Sequence, residues 1–562
     1  MTGEPVRDLG YAAWYDPDAW LENMSGPRWF SILREENQRV DRFSKDIEIK
    51  TVFNYSPSPN YLSGSLKISH VDSMNYSWSW EGGTYYGRDV ISNKKGLWFI
   101  HDVGHGKEEY QLDYKPVGEK KSSWTIKPVG PKIAIRETHC YFLGVENKLW
   151  YNELWSCEAE TGQNRVLIYK EYNPEVIIDI VLGLDKKIYM TLENAQDIRW
   201  YIVEENKIKQ IGEPKETWAN LKINRTHGAS VLKDGAKKLI EIPSGKITID
   251  PWAIFENRDE ASILVQRPHK TDTWFTYSKK TRSLSILETG KESGLKLLEG
   301  LAKNTRYVLV LKEGLERPKN VLITGYGAYG LPTLTQYARI RWNTLLEEDW
   351  AIAYTFLPGG GDHTLAYAKQ ARRDGRTKTV DCFLDCVKDI KQTFNLQAHN
   401  LVIYGRSAGG LLVGSSLAKY PDGLFGGIFT EVPYLDELRT TTNIELPLTR
   451  LEYKEFGDPA HNLRDLLSVG LLSPADAAVD LKTPNVFVYA KTATNDPQVL
   501  TYESVKWIRR LRKASPTGAP KLLKVDFGIG HFTPPNSAAK TLASDCAILL
   551  KLTDLAHKKY SA

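Results

Sequence analysis

Several features are scarce in this chain of 562 residues, and each scarcity excludes a class of protein. Five cysteines are too few, and odd in number, for a disulfide framework, and they suit a reducing compartment. No stretch approaches the ~18 apolar residues of a membrane-spanning helix, and the first residues lack the apolar segment of a signal peptide. We therefore expect a cytoplasmic protein without a membrane partner.

The chain also lacks a large excess of charge of either sign. The chain balances 74 lysines and arginines against 69 aspartates and glutamates, for a net charge of +5. A charge this small and mixed does not predict a nucleic-acid partner. His101 and His105 resemble a metal pair, but Gly104 and Gly106 would interrupt a helix there and no third ligand is close in sequence. We expect no metal and no cofactor.

The texture of the sequence divides the chain into three parts. Residues 1–70 mix apolar and charged residues at helical spacing and predict an N-terminal helical arm. Residues 71–300 hold short aromatic and apolar runs between turn residues, and similar runs recur about 40 residues apart, which predicts an all-β propeller of about five to seven blades. Residues 301–562 alternate apolar strands with amphipathic segments, which predicts a doubly wound, mostly parallel α/β sheet. Helices of this third part are expected near 378–394, 408–419, 500–512 and 536–557.

The run "GYGAYG" at 325–330 has the G-x-G-x-x-G spacing of a dinucleotide-binding turn and follows an apolar run, "VLIT". In that motif a helix begins at once, so that its N-terminus faces the pyrophosphate. Here Pro332 and two threonines follow instead. The sequence therefore disfavours a nucleotide site and leaves another role for this loop.

The strongest chemical signal is "LVIYGRSAGGLLVGSSLA", residues 401–418. A predicted strand leads into G-x-S-x-G, and a helix of small and apolar residues follows, which is the context of a nucleophile elbow. Glycines are needed there because the turn is sharp and the serine backbone is strained. The pattern predicts Ser407 as the nucleophile, beside backbone amides that would receive developing negative charge.

A serine hydroxyl needs a base, and in this architecture an acid and then a histidine follow the serine, each after a later strand. Asp496 follows the strand "NVFVYA", and His531 follows the strand "KLLKVDF". His531 would take the proton of Ser407, and Asp496 would orient the imidazole and stabilise its cation. We therefore expect the catalytic set Ser407, Asp496 and His531.

At this point a set of motifs carries a family resemblance. In sequence order they are "DPDAWLENMSGPRW", "GYGAYG", "PGGGDH", "GRSAGGLLVG", "VPYLDEL", "PLTRLEYKEFGDP", "LLSPADA", "NDPQV" and "GHF". They resemble the motifs of the prolyl oligopeptidase family of serine peptidases and are most similar to its oligopeptidase B branch. The resemblance implies an α/β-hydrolase catalytic domain capped by a β-propeller, and cleavage of short peptides because the cap excludes folded proteins. It also implies an oxyanion hole made by the Tyr326 hydroxyl and the Ala408 backbone amide.

Two departures from the family pattern bear on substrate binding. The oligopeptidase B branch presents two glutamates to a basic P1 side chain; here the first is Glu452, but Lys454 stands at the second position. A lysine there is expected to neutralise the pocket and repel a cationic side chain. Gln498 stands where prolyl-cleaving members have an arginine that binds a substrate carbonyl. Tyr434 either lines the pocket or is a buried tyrosine with a satisfied hydroxyl.

The sequence thus predicts a serine hydrolase that acts on short peptides or peptide-like substrates through an acyl-enzyme, as a monomer or small homo-oligomer. With the same catalytic set, the altered Gln498 and Lys454 leave open an esterase, or an acyl transferase or peptide macrocyclase. A different alternative is a binding scaffold in which the propeller acts and the hydrolase domain is inactive. The complete set of serine, aspartate and histidine disfavours that alternative.

Overall fold

The structure is a computed structural model of the chain. It describes residues 6–49, 60–63, 66–70, 76–81, 83–146, 149–182, 187–194, 198–212, 253–256, 260–278, 281, 283–288, 291, 293–333, 337–363, 365–421, 423–532 and 535–561. Part of the predicted propeller region, including the strand-like run at 238–249, lies outside the described residues. None of the described helices combines the length and apolar composition that crossing a bilayer requires.

The described N-terminal residues form a small hairpin, a 3₁₀ helix and one long helix. These elements are β1 (Val6–Asp8), β2 (Ala13–Tyr15), the 3₁₀ helix Ala19–Asn23 and α1 (Gly26–Ser44). Trp29, Leu33, Glu36 and Val40 are buried along α1 at steps of three or four residues, with Ile32 beside them, so the buried residues lie on one face. Through this face the helix packs on the C-terminal half of the chain.

Five antiparallel sheets of four strands come next among the described residues, and in each sheet consecutive strands pair. Their strands are β3 (Asn60–Ser63), β4 (Leu66–His70), β5 (Tyr76–Trp80) and β6 (Gly83–Gly87); β7 (Asp89–Asn93), β8 (Gly96–Asp102), β9 (Tyr110–Pro116) and β10 (Trp124–Val129); β11 (Ile133–Arg136), β12 (His139–Gly144), β13 (Glu153–Glu158) and β14 (Val166–Lys170); β15 (Ile177–Leu182), β16 (Ile188–Glu193), β17 (Ile198–Glu204) and β18 (Lys207–Ile211); and β19 (Ala253–Glu256), β20 (Glu260–Arg267), β21 (Lys270–Ser278) and β22 (Ser283–Glu288).

Neighbouring sheets of this region lie against one another. β6 contacts β8, β7 contacts β11, and β11 contacts β15, so each of these sheets touches the next one along the chain. β20, in the fifth sheet, contacts β3 in the first. The first sheet begins at Asn60, so the predicted arm of residues 1–70 ends in two strands.

The C-terminal part holds one mixed sheet of eight strands with helices around it. In chain order its strands are β23 (Leu295–Ala302), β24 (Thr305–Lys312), β25 (Asn320–Thr324), β26 (Trp350–Thr355), β27 (Leu401–Arg406), β28 (Gly427–Glu431), β29 (Phe487–Ala493) and β30 (Lys521–Asp526). Across the sheet the order is β23-β24-β26-β25-β27-β28-β29-β30. The strands from β26 to β30 run parallel, whereas β23 and β24 pair antiparallel. The sheet starts at Leu295, shortly before the predicted boundary at 301.

The helices of this part follow the predicted alternation with strands. They are α2 (Ala338–Glu347), α3 (Leu365–Lys369), α4 (Thr377–Thr393), α5 (Ala408–Lys419), α6 (Glu437–Thr442), α7 (Tyr453–Phe456), α8 (Leu463–Leu472), α9 (Pro474–Ala477), α10 (Thr501–Ala514) and α11 (Pro535–Ser561), with 3₁₀ helices at Arg373–Gly375 and Ala398–Asn400. The four predicted helices are confirmed as α4, α5, α10 and α11. The doubly wound, mostly parallel arrangement expected for this part is present.

Two hydrophobic cores cover the two faces of the eight-stranded sheet. Val321 and Ile323 of β25 belong to one core, whereas Leu322 between them belongs to the other. Successive strand residues point to opposite faces, so an apolar run without alternation is what a sheet covered on both sides requires. The parallel strands end on one edge, and the loops after β25, β27, β29 and β30 lie at that edge. This edge holds the residues that the sequence singled out.

Candidate active site

Ser407 occupies a strained turn between β27 and α5. Its backbone angles are φ 54° and ψ −122°, which cost a residue with a side chain about 1–3 kcal/mol. The neighbouring glycines are required by space: a Cβ on Gly405 would lie 1.9 Å from the Gly409 oxygen, and one on Gly410 would lie 2.3 Å from Pro433. The G-x-S-x-G-G sequence therefore folds this way because larger residues would collide.

Three backbone hydrogen bonds fix the turn. The Ser407 N–H donates to the Glu431 carbonyl over 3.0 Å, and the Ser407 carbonyl accepts from Gly410 at 2.7 Å and Tyr434 at 3.0 Å. Glu431 ends β28, the strand beside the strand of the nucleophile. The turn is thus bound both to its own helix and to the neighbouring strand.

The Glu431 side chain extends this support into a buried ionic network. It accepts from the Tyr404 hydroxyl at 2.7 Å and pairs with Arg341, and Lys491 lies 3.5 Å from its other oxygen. Lys491 also contacts Asp545 at 2.6 Å. Buried charges are tolerated when they are paired in this way, so the network holds β27, β28 and β29 in register under the turn.

Asp496 and His531 are in direct contact at the ends of β29 and β30. Asp496 Oδ2 lies 2.7 Å from His531 Nδ1, and both residues are buried. The other carboxylate oxygen, Oδ1, accepts from the backbone N–H groups of Gln498 at 2.9 Å and Val499 at 3.0 Å. This carboxylate favours the imidazole tautomer with the proton on Nδ1, which leaves a basic Nε2.

Tyr326 reaches the nucleophile from the loop after β25. The Ser407 side chain is among the groups that set the pKa of the Tyr326 phenol, which places the two side chains next to each other. Burial, and after it the nearby Glu452, raises the pKa of the phenol well above its ordinary value, so Tyr326 stays protonated as a donor. Ala408 is buried at the first position of α5. The Tyr326 hydroxyl and the Ala408 amide, which the family resemblance implies as oxyanion donors, thus both lie next to Ser407.

The loop 325–330 is not shaped for a dinucleotide. The next described helix, α2, begins only at Ala338, so no helix N-terminus continues the G-x-G-x-x-G run. Gly327 has φ 63°, and a Cβ on it would lie 2.4 Å from Thr379 of α4. The glycines serve to bring the tyrosines of this loop close to α4 and α5.

Glu452 is a partly buried acid beside the loop that carries Tyr326 and Tyr329. The Tyr329 hydroxyl donates to it over 2.6 Å. Burial is the main cause that raises the pKa of Glu452 to about 7, and the neighbouring Glu455 adds to the rise. Glu455 itself is paired, at 3.3 Å from both Arg372 and Arg376. Within the described residues, Glu452 therefore lacks the ion pairs that Glu455 makes.

Lys454 points away from this group. Its ammonium lies 3.2 Å from Glu193, the last residue of β16 in the fourth antiparallel sheet. The side chains that shift the pKa of Glu452 are Tyr329, Glu455 and Arg376, and Lys454 is not among them. The structure thus gives Lys454 a carboxylate partner from another sheet, where the sequence predicted that it would neutralise Glu452.

Tyr434 lies in a small cluster with Leu411, Phe456 and Val499. The residue is buried, and no hydrogen-bond partner reaches its hydroxyl from the part of the chain that the structure describes. Close by, burial raises the pKa of Glu437 to about 8. Of the two readings of Tyr434, the buried tyrosine with a satisfied hydroxyl does not fit this geometry.

Sequence reasoning missed one loop at this edge, residues 102–109, which we call the Asp102 loop. The Asp102 carboxylate accepts four backbone N–H bonds within the loop, at 2.7 Å from Gly104, 2.8 Å from Gly106, 3.3 Å from Glu108 and 3.2 Å from Glu109. The available signal was an aspartate followed by glycines two and four residues later, which marks a tight turn. In the strand before this loop, His101 Nε2 lies 2.5 Å from Asp113.

The Asp102 loop touches both loops that carry Asp496 and His531. Asn495 donates to the His105 carbonyl over 3.1 Å, and the Gln498 side chain donates to Glu108. A Cβ on Gly106 would lie 2.4 Å from the backbone nitrogen of Gly530, next to His531. Gln498 therefore faces an acid of the second antiparallel sheet.

A cluster of acids in the described part of the chain has the spacing of a metal site, but cations fill it. Asp16, Glu22 and Asp436 bring their oxygens within 4.8 Å of one another. Lys506 lies between them, 2.9 Å from Asp16 and 2.5 Å from Asp436, and Arg510 contacts Asp16 at 2.7 Å. The cluster is an ion-pair network that binds the N-terminal segment to α10.

Comparisons with known proteins give a family match in the C-terminal half of the chain. Residues 337–553 match the prolyl oligopeptidase family. Protease 2 of Moraxella lacunata is 29% identical over 215 residues, which are 38% of this chain and 30% of that protein. A prolyl endopeptidase-like protein of Xenopus laevis is 27% identical over 300 residues, 50% of this chain and 42% of the relative. The matched region thus spans less than half the length of these relatives.

Solved structures extend the likeness over most of the chain. Oligopeptidase B from Leishmania major has a TM-score of 0.76 at 16% identity, covering 97% of this chain and 94% of that one. A structure from a study of two prolyl endopeptidases has a TM-score of 0.78 at 16% identity, covering 98% and 99%. At such low identity the likeness concerns the fold alone.

Proposed function

Because residues 337–553 match the prolyl oligopeptidase family, we propose that the chain is a serine hydrolase that cleaves short peptides or peptide-like substrates. The acyl-enzyme forms on Ser407. The observation that carries the proposal is the 2.7 Å contact of Asp496 and His531 at the sheet edge that also presents Ser407 in a strained turn.

The chemistry follows from the roles of these three residues. His531 Nε2 takes the proton as Ser407 Oγ bonds to the substrate carbonyl carbon, and the carbonyl electrons move onto the oxygen. The Tyr326 hydroxyl and the Ala408 N–H hold that oxyanion. When the oxyanion collapses, the C–N bond breaks and His531 gives the proton to the departing amine. Asp496 keeps the imidazole oriented, and water later repeats the sequence on the acyl-enzyme.

Glu452, with Tyr329 beside it, is the proposed acceptor for the P1 side chain. Lys454 pairs with Glu193 and does not neutralise Glu452. This supports a pocket in which the Glu452 carboxylate, held by Tyr329, binds a hydrogen-bond donor or a cation of the substrate. Tyr434 is the proposed second polar contact, because its hydroxyl lacks a partner among the described residues. Gln498 is the proposed contact near the reacting carbonyl, held in place by Glu108.

The proposed organisation has three parts: an arm over 1–70, a reduced β-propeller over 71–300 and an α/β-hydrolase domain over 301–562. Successive contacts between four-stranded sheets, with β20 against β3, support a ring of blades. In this arrangement the propeller covers the site and admits only short peptides.

The decisive experiment is labelling with a fluorophosphonate followed by intact mass measurement. Wild type should gain one adduct per chain, and Ser407→Ala should gain none. The substitution should also lower kcat by about 10⁶-fold. An unlabelled wild type, folded by circular dichroism, would overturn the proposal and favour the binding scaffold.

A substrate panel then separates the alternatives that share the acyl-enzyme. Peptide amides, simple esters and peptides offered with an amine acceptor should be compared on the unlabelled wild type, with Ser407→Ala as the inactive control. Hydrolysis of amides with cleavage after a defined residue supports the peptidase. Ester cleavage alone would indicate an esterase, and a product joined to the amine would indicate an acyl transferase or macrocyclase.

A further inference from the structure

Two buried cysteines face each other across neighbouring strands of the third antiparallel sheet. Cys140 of β12 and Cys157 of β13 are direct cross-strand partners, and both are fully buried. Such partners have Cα atoms about 4.5–5.5 Å apart, within the range of about 4.4–6.8 Å that a disulfide spans. The two thiols lie close enough for each to shift the pKa of the other.

The two thiols are chemically unequal. Burial raises the pKa of Cys140 well above its ordinary value, and the neighbouring Cys157 adds to the rise. Cys140, with the nearby Arg165, lowers the pKa of Cys157. Because the thiolate is the reactive form, Cys157 is the attacking group of the pair and Cys140 the resolving one.

We propose that Cys140 and Cys157 form an oxidation site, a dithiol that closes to an intrachain disulfide on exposure to hydrogen peroxide. The Cys157 thiolate attacks one peroxide oxygen, the O–O bond breaks, and a sulfenic acid and hydroxide form. The Cys140 sulfur then attacks Cys157 Sγ, the S–S bond forms, and the S–O bond breaks. The proton of Cys140 leaves with that hydroxyl group as water. In sum two thiols lose two electrons, and one peroxide becomes two waters.

Access requires local opening of the sheet. β14, the edge strand of this sheet, pairs with β13, which carries Cys157. An edge strand opens at lower free energy than a central one, and a peroxide is small enough to use that opening. Bulkier oxidants should react more slowly at this pair.

The chain carries a matched control in α4. Cys382 and Cys386 are four residues apart on one helix, where Cβ atoms are about 5–6 Å apart. A disulfide needs about 3.5–4.5 Å. Cys382 is more exposed than either strand cysteine. The helix pair therefore shows whether oxidant access alone, without the Cβ spacing of a disulfide, is enough to form a crosslink.

The test is oxidation of the native full chain with hydrogen peroxide, then quenching, alkylation in denaturant and non-reducing peptide mapping. We expect one crosslink, between the peptides of Cys140 and Cys157, with a mass loss of about 2 Da for the bond formed. Cys382 and Cys386 should remain alkylated or singly oxidised. Cys157→Ala and Cys140→Ala should each abolish the crosslink, whereas Cys386→Ala should leave it unchanged.

Two results would overturn the proposal: no crosslink at peroxide levels that oxidise Cys382, or a 382–386 crosslink as abundant as the strand pair. Oxidation of wild type unfolded in urea should give disulfides between several different pairs of cysteines. Comparison with the native chain shows whether the fold selects the pair Cys140–Cys157. Fluorophosphonate labelling of the oxidised chain should stay at the wild-type level, because neither cysteine touches the residues around Ser407. The result is therefore independent of the proposed function.

Discussion

Tyr326 and Tyr329 are two tyrosines of one loop with different partners. Tyr326 lies beside the Ser407 side chain, whereas Tyr329 donates to Glu452 over 2.6 Å. The first is placed to stabilise charge that appears only in the transition state, and the second to hold a residue that would bind the ground state. Loss of the Tyr326 hydroxyl should therefore act mainly on kcat, whereas loss of the Tyr329 hydroxyl should act mainly on KM.

Tyr326→Phe should lower kcat of peptide cleavage by about 10²- to 10³-fold with little change in KM, since one oxyanion donor is lost. Tyr329→Phe is the matched control and should act mainly on KM. Steady-state kinetics of both variants measure the split. Equal losses in kcat would contradict the assignment of Tyr326.

Glu452 should make substrate binding depend on pH. Its pKa is raised to about 7, mainly by burial, so the carboxyl gains its negative charge as pH rises through neutrality. For a substrate with arginine at P1, KM should fall between pH 6 and pH 8, because the ionised acid attracts the guanidinium. A substrate with a neutral P1 side chain, and the variant Glu452→Gln, should both lack this dependence.

At the scale of elements, the Asp102 loop connects the second antiparallel sheet with the sheet edge that carries Ser407, Asp496 and His531. Its own hydrogen bonds to Asp102 make it rigid, and its tip reaches the loops after β29 and β30. The closest approach is at Gly106, which has φ 91° and no room for a Cβ beside Gly530. The position of His531 thus depends on a loop that lies about 400 residues earlier in the chain.

Gly106→Ala should lower kcat by about tenfold or more, since small displacements of catalytic groups are costly. Gly118→Ala is the control, because Gly118 is a turn glycine of the same region with φ 80° and nothing within 4 Å of an added Cβ. Both variants carry similar backbone strain, so only the first should displace His531. Kinetics together with thermal unfolding distinguish a catalytic loss from a general loss of stability.

At the scale of the whole molecule, the N-terminal segment is bound to the C-terminal half through buried charges. Asp16 is almost fully buried and contacts Lys506 at 2.9 Å and Arg510 at 2.7 Å. α1 adds the pair Glu36–Arg512 at 2.6 Å. The arm is therefore an integral part of the half that carries Ser407.

Asp16→Asn should lower the free energy of unfolding by about 3 kcal/mol. It removes the buried carboxylate that Lys506 and Arg510 share, and leaves them only Asp436 and Asp18 as close partners. Asp374→Asn is the control: it breaks the exposed pair with Arg464 and should cost less than about 1 kcal/mol. Urea unfolding of the two variants measures the difference. Similar small losses in both would contradict a structural role for the network.

Local sequence determined the candidate nucleophile and its setting. A strand, a turn that only glycines permit and a helix of small residues are contiguous, so G-x-S-x-G could be assigned without knowing any distant contact. The positions of Asp496 and His531 could also be predicted, because parallel strands deliver the residues after them to one edge. The alternation of strands and helices over 301–562 followed from the apolar pattern for the same reason.

Only the tertiary structure decided which polar and charged side chains pair beside the sheet edge that carries Ser407. Lys454 pairs with Glu193 and Gln498 with Glu108, and both partners belong to the first half of the chain, Glu193 in β16 and Glu108 in the Asp102 loop. No periodicity or spacing links residues so far apart, and their pairing depends on how the sheets sit over the catalytic edge. The sequence predicted that Lys454 would cancel Glu452, because neighbours along the chain are visible in a sequence and neighbours across an interface are not.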